Sequence, residues 1–107
     1  MRINLKATKL EMTEAIAVYC QEKMDMIEKY LGDIKVMNCD MEIEKAVGGQ
    51  YKGEIFRAEV NLQVPQHILR VEKTEKDLYK AIDKVKDHLE LVIKKYKEKL
   101  IDKKRGK

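Results

Sequence analysis

Apolar and polar residues alternate with period two in several stretches of this chain and recur at helical spacing in two others. Ile3, Leu5 and Ala7 alternate with Arg2, Asn4 and Lys6, which predicts a short strand with one buried face. Thr13 is a suitable N-cap for a helix running to about Leu31, whose stripe is Ile16, Cys20, Met24, Ile27 and Leu31 and whose stop is Gly32. From Ile34 to Val47 the period returns to two, with Met37, Cys39, Met41 and Ile43 against Asn38, Asp40, Glu42 and Glu44. Gly48 to Gly53 reads as a loop. Phe56, Ala58, Val60, Leu62 and Val64 then mark a long strand, Pro65-Gln66 breaks it, and a shorter strand covers about His67 to Lys73. Leu78, Ile82, Val85, Leu89, Val92, Ile93, Tyr96 and Leu100 trace one face of a helix from about Glu75 to Ile101, with Thr74 or Glu75 near its start. Asp77 favours the positive end of its dipole.

The order is β-α-β-β-β-α, an α+β class. The last three strands form an antiparallel meander in a four-stranded sheet, and both helices pack on one face, leaving the other to water. The second helix, at 1.5 Å per residue roughly 36–40 Å long, exceeds what its own sheet needs, so its last turns are expected to project and fray. The open face would carry Asn4, Glu42, Arg57, Glu59 and Gln63 without paired aromatics, which argues against a base-stacking sheet and moves function to the helix side.

Composition narrows the classes further. At 107 residues, 44% hydrophobic and 39% charged, the chain fits one domain with a real core. No apolar run approaches the ~20 residues of a membrane span, and MRINLKATKLE lacks the stretch of a secretory signal, so a cytoplasmic protein without a membrane partner is expected. Cys20 and Cys39 lie on predicted core faces without metal-ligand spacing, which reads as two reduced, buried thiols. There is no serine, and His67 and His88 are the sole histidine bases, so no nucleophilic constellation assembles. GGQYKG at 48–53 lacks the spacing of a phosphate loop. The expectation is a binding protein rather than an enzyme, with no cofactor, no metal and no small-molecule substrate.

The net charge of +4 is unevenly placed: residues 76–107 hold 12 Lys/Arg against 6 Asp/Glu, and residues 1–75 hold 11 against 13. A polyanionic partner on the side of the last helix follows. With Leu78 at zero, Lys84, Lys95, His88 and Lys99 fall at ~240–300° around that helix, while Asp83 and Glu90 fall at ~120–140°. One flank is thus a basic ridge. On helix one, Lys23 lies at the edge of the apolar stripe beside Tyr19 and Tyr30, with Lys29 farther out. Lys23 and the ridge are expected to line one positively charged groove that contacts phosphates.

Residues 77–100, DLYKAIDKVKDHLELVIKKYKEKL, resemble the ribosome hibernation promoting factor family, also called ribosome-associated inhibitor proteins. The elements that carry the resemblance are Asp77-Leu78-Tyr79, Ala81-Ile82-Asp83, Lys95-Tyr96-Lys97 and Lys99, with Thr13 to Ile16, Glu28 to Leu31 and LRVEKT at 69–74 upstream. The resemblance covers residues 2–102 and implies a domain over 1–102 followed by a basic tail at 103–107. It further implies a protein that binds ribosomal RNA in the decoding region of the small ribosomal subunit and holds the ribosome idle in starvation or stationary phase. The implied RNA-contacting residues are Lys23, Lys95, Lys97 and Lys99, with Arg70 a weaker candidate. Lys29, Lys84 and His88 complete the candidate set. The family usually has basic residues where this chain has His88 and Leu91, which shifts the expected contact toward Lys84 and KKRGK. The family has short members and long members with a dimerising C-terminal domain; the chain fits a short form or a fragment of a long one. The alternative reading is a generic double-stranded RNA-binding module, which also sets helices on one face of a small sheet.

Overall fold

The computed structural model describes residues 1–47 and 53–104. Most of the predicted glycine loop, at 48–52, and the end of the basic tail, at 105–107, lie outside the described residues. The elements are β1 (Asn4–Thr8), α1 (Glu14–Leu31), β2 (Asn38–Val47), β3 (Glu54–Val64), β4 (His67–Glu75) and α2 (Leu78–Lys104). The order is the expected β-α-β-β-β-α, an α+β fold with one four-stranded sheet in the order β1-β2-β3-β4. β1 and β2 are parallel, a pairing that needs a crossover, and α1 supplies it. β2, β3 and β4 form the antiparallel meander, and the Val64↔His67 pair closes on Pro65 and Gln66. Gln66 takes a positive φ of 68°, which suits the position after a proline that opens a tight turn.

One core lies between the helices and the sheet. Cys20, Met24, Ile27 and Leu31 of α1 and Ala81, Ile82, Val85, Leu89, Ile93 and Tyr96 of α2 bury onto Cys39, Met41, Ile43, Val60, Leu62 and Val71. Both cysteines are buried, and burial pushes each thiol up to about 11. Thr13 caps α1 by accepting the Ile16 amide on its hydroxyl at 3.2 Å, and Gly32, at a φ of 58°, ends it.

Three boundaries differ from the expectation. β2 begins at Asn38 rather than Ile34, because Ile34 and Val36 pack against the core from the link that follows α1 and not from a ladder. β4 continues to Glu75, which pairs with Phe56, so Thr74 and Glu75 are strand residues and Asp77 is the cap, its carboxylate accepting the Lys80 amide at 3.0 Å. α2 stays helical to Lys104 instead of fraying near Ile101. Its last turns do project, leaving Leu100 and Ile101 exposed.

Candidate nucleic-acid interface

The two helices run parallel. Tyr19, early in α1, meets Tyr79 and Asp83, early in α2, and Tyr30, late in α1, meets Lys97, late in α2. The flank of α2 that faces α1 is therefore the one carrying Tyr79, Asp83 and Lys97. The basic ridge of Lys84, His88, Lys95 and Lys99 lies ~100–200° away around the same helix and faces outward past β4.

This divides the candidate residues into two groups and overturns the expected single groove. At the seam, the Lys23 Nζ sits 3.3 Å from an Asp83 carboxylate oxygen and 5.1 Å from the centre of the Tyr19 ring. The Tyr19 hydroxyl donates to the same oxygen at 2.5 Å, and that bond, with burial and the nearby carboxylates, raises the phenol to about 12. The Lys97 Nζ donates to the Tyr30 carbonyl at 3.0 Å, at the negative end of the α1 dipole. Lys29 extends over the Tyr30 ring, 5.3 Å from its centre.

On the outer flank, Lys84 reaches back to Glu75 of β4 at 2.5 Å, and its hydrogen bond holds that carboxyl below the usual range. His88, Lys95 and Lys99 are exposed and form no ion pair among the described residues. Lys97, which the resemblance groups with Lys95 and Lys99, is thus separated from them and joined to Lys23 and Lys29.

Arg70 belongs to neither group. It points from β4 onto the open sheet face, where its Nε and Nη2 bond Glu59 at 3.0 and 2.6 Å. That face is built around Arg57, which reaches Glu42 at 2.7 Å, Glu44 at 2.9 Å and Glu72 at 3.4 Å. Asp40, Glu42, Glu44, Glu59 and Glu72 set five carboxylates against Lys6, Arg57 and Arg70.

The pairing of Asp83 with Lys23 and of Tyr30 with Lys97 across the seam has no direct signal in the sequence. Asp83 was placed on the flank opposite the ridge, and the signal that could have assigned that flank to α1 was its shared edge position with Tyr79, beside the apolar stripe. Among the described residues no cluster of three or more His, Cys, Asp or Glu side chains is placed to hold a metal ion, and no helix is long and apolar enough to cross a membrane.

Fold and charge together define a two-layer α+β domain whose open sheet face sets five carboxylates against three paired cations and whose second helix carries a basic flank largely unpaired among the described residues. The chain belongs to the family described as Sigma 54 modulation protein / S30EA ribosomal protein, whose model matches residues 3–101. It is 30% identical over 100 residues to a ribosome hibernation promotion factor of Lactococcus lactis, covering 94% of this chain and 51% of the relative. A ribosome hibernation promotion factor of Deinococcus radiodurans is 31% identical over 93 residues, covering 87% and 47%. The chain spans about half the length of the curated relatives it matches. Among solved structures, the N-terminal domain of Protein Y from Thermus thermophilus superposes with a TM-score of 0.70 at 30% identity, covering 90% of this chain and 99% of that one. A ribosomal subunit interface protein from Coxiella burnetii gives 0.75 at 18% identity over 92% and 99%, a likeness of fold.

Proposed function

We propose that this chain is a ribosome-associated hibernation domain that acts in the cytoplasm. In this reading it binds ribosomal RNA in the decoding region of the small subunit and keeps ribosomes inactive under stress or in stationary phase. Residues 1–102 form the binding domain, and 103–107 add non-specific attraction. The names of its curated relatives and of its family support the class of partner. The segregation of charge supports the face used: the open sheet holds five carboxylates against three cations that are themselves paired, while Lys95, Lys99 and His88 stand free on α2. A polyanion is repelled by the first surface and attracted by the second.

Sedimentation of the full chain with small ribosomal subunits across a salt series tests the reading, with a free RNA duplex as the comparison. Log affinity for the subunit is expected to fall with log salt at a slope of at least about −3, reflecting several neutralised phosphates. Weaker binding to the duplex is expected alongside it. Equal or tighter duplex binding identifies a general double-stranded RNA reader, and a flat salt response removes the phosphate-contact mechanism.

A further inference from the structure

Tyr30 stands at the end of α1 with its ring partly exposed and in contact with no other aromatic ring among the described residues. Two ammonium groups lie at this residue, one at its ring and one at its backbone carbonyl. Lys29 lies over the ring at 5.3 Å, and Lys97 reaches across from α2 to the Tyr30 carbonyl at 3.0 Å. A carbonyl takes one of the three donors of an ammonium, so Lys97 keeps two for another acceptor. Gly32 lies two residues on, and a Cβ there would stand 3.5 Å from the Lys97 Nζ, an ordinary contact distance.

An exposed aromatic ring beside free cations is the combination by which proteins hold an unpaired nucleotide, the ring stacking on the base and the cations on its phosphates. The C-terminal carbonyls of a helix repel phosphate, and here the two lysines offset that repulsion. Tyr79, also exposed, differs in kind: its ring is stacked edge-on against Tyr19 at 4.7 Å, and the lysine beside Tyr19 is held by Asp83. The Tyr79 ring is covered on one side by a second ring, whereas Tyr30 has no aromatic neighbour among the described residues and meets α2 only through its backbone carbonyl.

We propose that Tyr30, with Lys29 and Lys97, is a stacking site for one unpaired base of the bound RNA. The proposal rests on the RNA-binding reading above and narrows its target: a base face is available only where RNA is single-stranded, bulged or flipped out, since a continuous duplex hides it. The site reads an aromatic face and not a base edge, so it tolerates any base.

The chain has no tryptophan, so Tyr30→Trp installs a single fluorescent reporter. Its emission is expected to be quenched by small ribosomal subunits and by a single-stranded oligonucleotide, and to be little changed by a duplex of the same sequence. Tyr30→Leu is expected to weaken association about 5- to 100-fold, the range for losing one stacked base, while Tyr30→Phe stays within about threefold of the parent. The salt slope stays the same for both, because no phosphate contact is removed. A thermal melt of each variant checks that it is folded, and the Trp and Phe variants carry the test should the Leu variant unfold. The proposal is overturned if the Trp signal is unchanged at saturation with subunits, or if Leu and Phe variants bind alike. Subunit binding with no dependence on residue 30 removes the stacking site and leaves the ribosomal reading standing. Tyr30-dependent binding to single strands without subunit binding does the reverse, and binding to neither removes both.

Discussion

The hydroxyl of Tyr19 and the ammonium of Lys23, one turn apart on α1, converge on a single carboxylate oxygen of Asp83 on α2. Asp83 thereby ties the two helices at their N-terminal ends, as Lys97 and Tyr30 do at the other. Asp83→Ala removes both partners' acceptor and is expected to cost about 1–2 kcal/mol in denaturant unfolding, since hydrogen bonds to a charged group contribute more than neutral ones but this group is partly exposed. Asp83→Asn keeps an acceptor and is expected to cost less. The raised phenol also sets a pH dependence. Between its ordinary value of 10.0 and about 12 the folded chain keeps a proton that the unfolded chain has lost, so stability falls as pH rises through that window. Tyr19→Phe is expected to remove this component of the alkaline loss.

Glu42, Glu59 and Glu72 face one another in adjacent positions of β2, β3 and β4, an arrangement of like charges that opposes pairing. Arg57 offsets it from the neighbouring row. Arg57→Met keeps the aliphatic stem and removes the charge, and is expected to destabilise the domain by about 1–3 kcal/mol near pH 7. The effect shrinks with acid. The Thr8 hydroxyl, at 2.6 Å, and then Arg57 hold the Glu42 carboxyl below the ordinary carboxylate range, so its contribution is present above that range and disappears as pH falls through the folded value. Without Arg57 that lowering is smaller and protonation relieves the repulsion. The gap between variant and parent is expected to narrow from pH 7 to about pH 4, and thermal melts across that range measure it.

The fold was legible because each element carries its own period. Met37 to Ile43 alternate, Leu78 to Leu100 recur at helical spacing, and Gly32 and Pro65 interrupt. The misplaced start of β2 has a physical cause: Ile34 and Val36 are apolar because they cover the core, and burial alone does not distinguish a ladder from a link. The site was legible only by halves. Helical angles place Lys84, Lys95 and Lys99 on one flank and Asp83 on the other, but they are measured within α2 and hold no information about the direction of α1. That direction is fixed by contacts such as Tyr19 to Asp83, 64 residues apart in the chain. Lys97 illustrates the consequence: close in sequence to Lys95 and Lys99, it is turned toward Tyr30 and away from both.

The two thiols supply a separate check on the core. Cys20 lies on the buried face of α1 and Cys39 on the buried face of β2, and both are pushed by burial from 9.0 to about 11. Each is expected to react slowly with a thiol reagent in the native state and rapidly after unfolding, because the thiolate is the reactive form and neither sulfur is accessible. Between pH 9 and about 11 the unfolded chain loses thiol protons that the folded chain keeps, so these groups too lower stability as pH rises. Rapid native labelling of either cysteine would contradict the packing of its element.

The outer ridge and the basic residues 103–107 are expected to contribute differently to binding. Lys95 and Lys99 are exposed on α2 and form no ion pair among the described residues, so reversing both charges removes no internal contact. Lys95→Glu with Lys99→Glu is expected to leave the thermal melt nearly unchanged, as single exposed charges contribute ~0–1 kcal/mol. Its effect falls on the partner: association with the small subunit is expected to be lost at moderate salt, and any residual binding to show a slope shallower by about 2. Truncation after Asp102 removes four cations of the sequence, Lys103, Lys104, Arg105 and Lys107, and is expected to weaken binding modestly and equally for subunits and free RNA. Attraction from these residues is expected to be long-range and unspecific, whereas Lys95 and Lys99 share one helix flank that fixes where they meet phosphate. Normal co-sedimentation of the double reversal, or greater damage from the truncation, would show that the ridge is an ordinary solvated helix face and that binding runs through the seam or through residues 103–107.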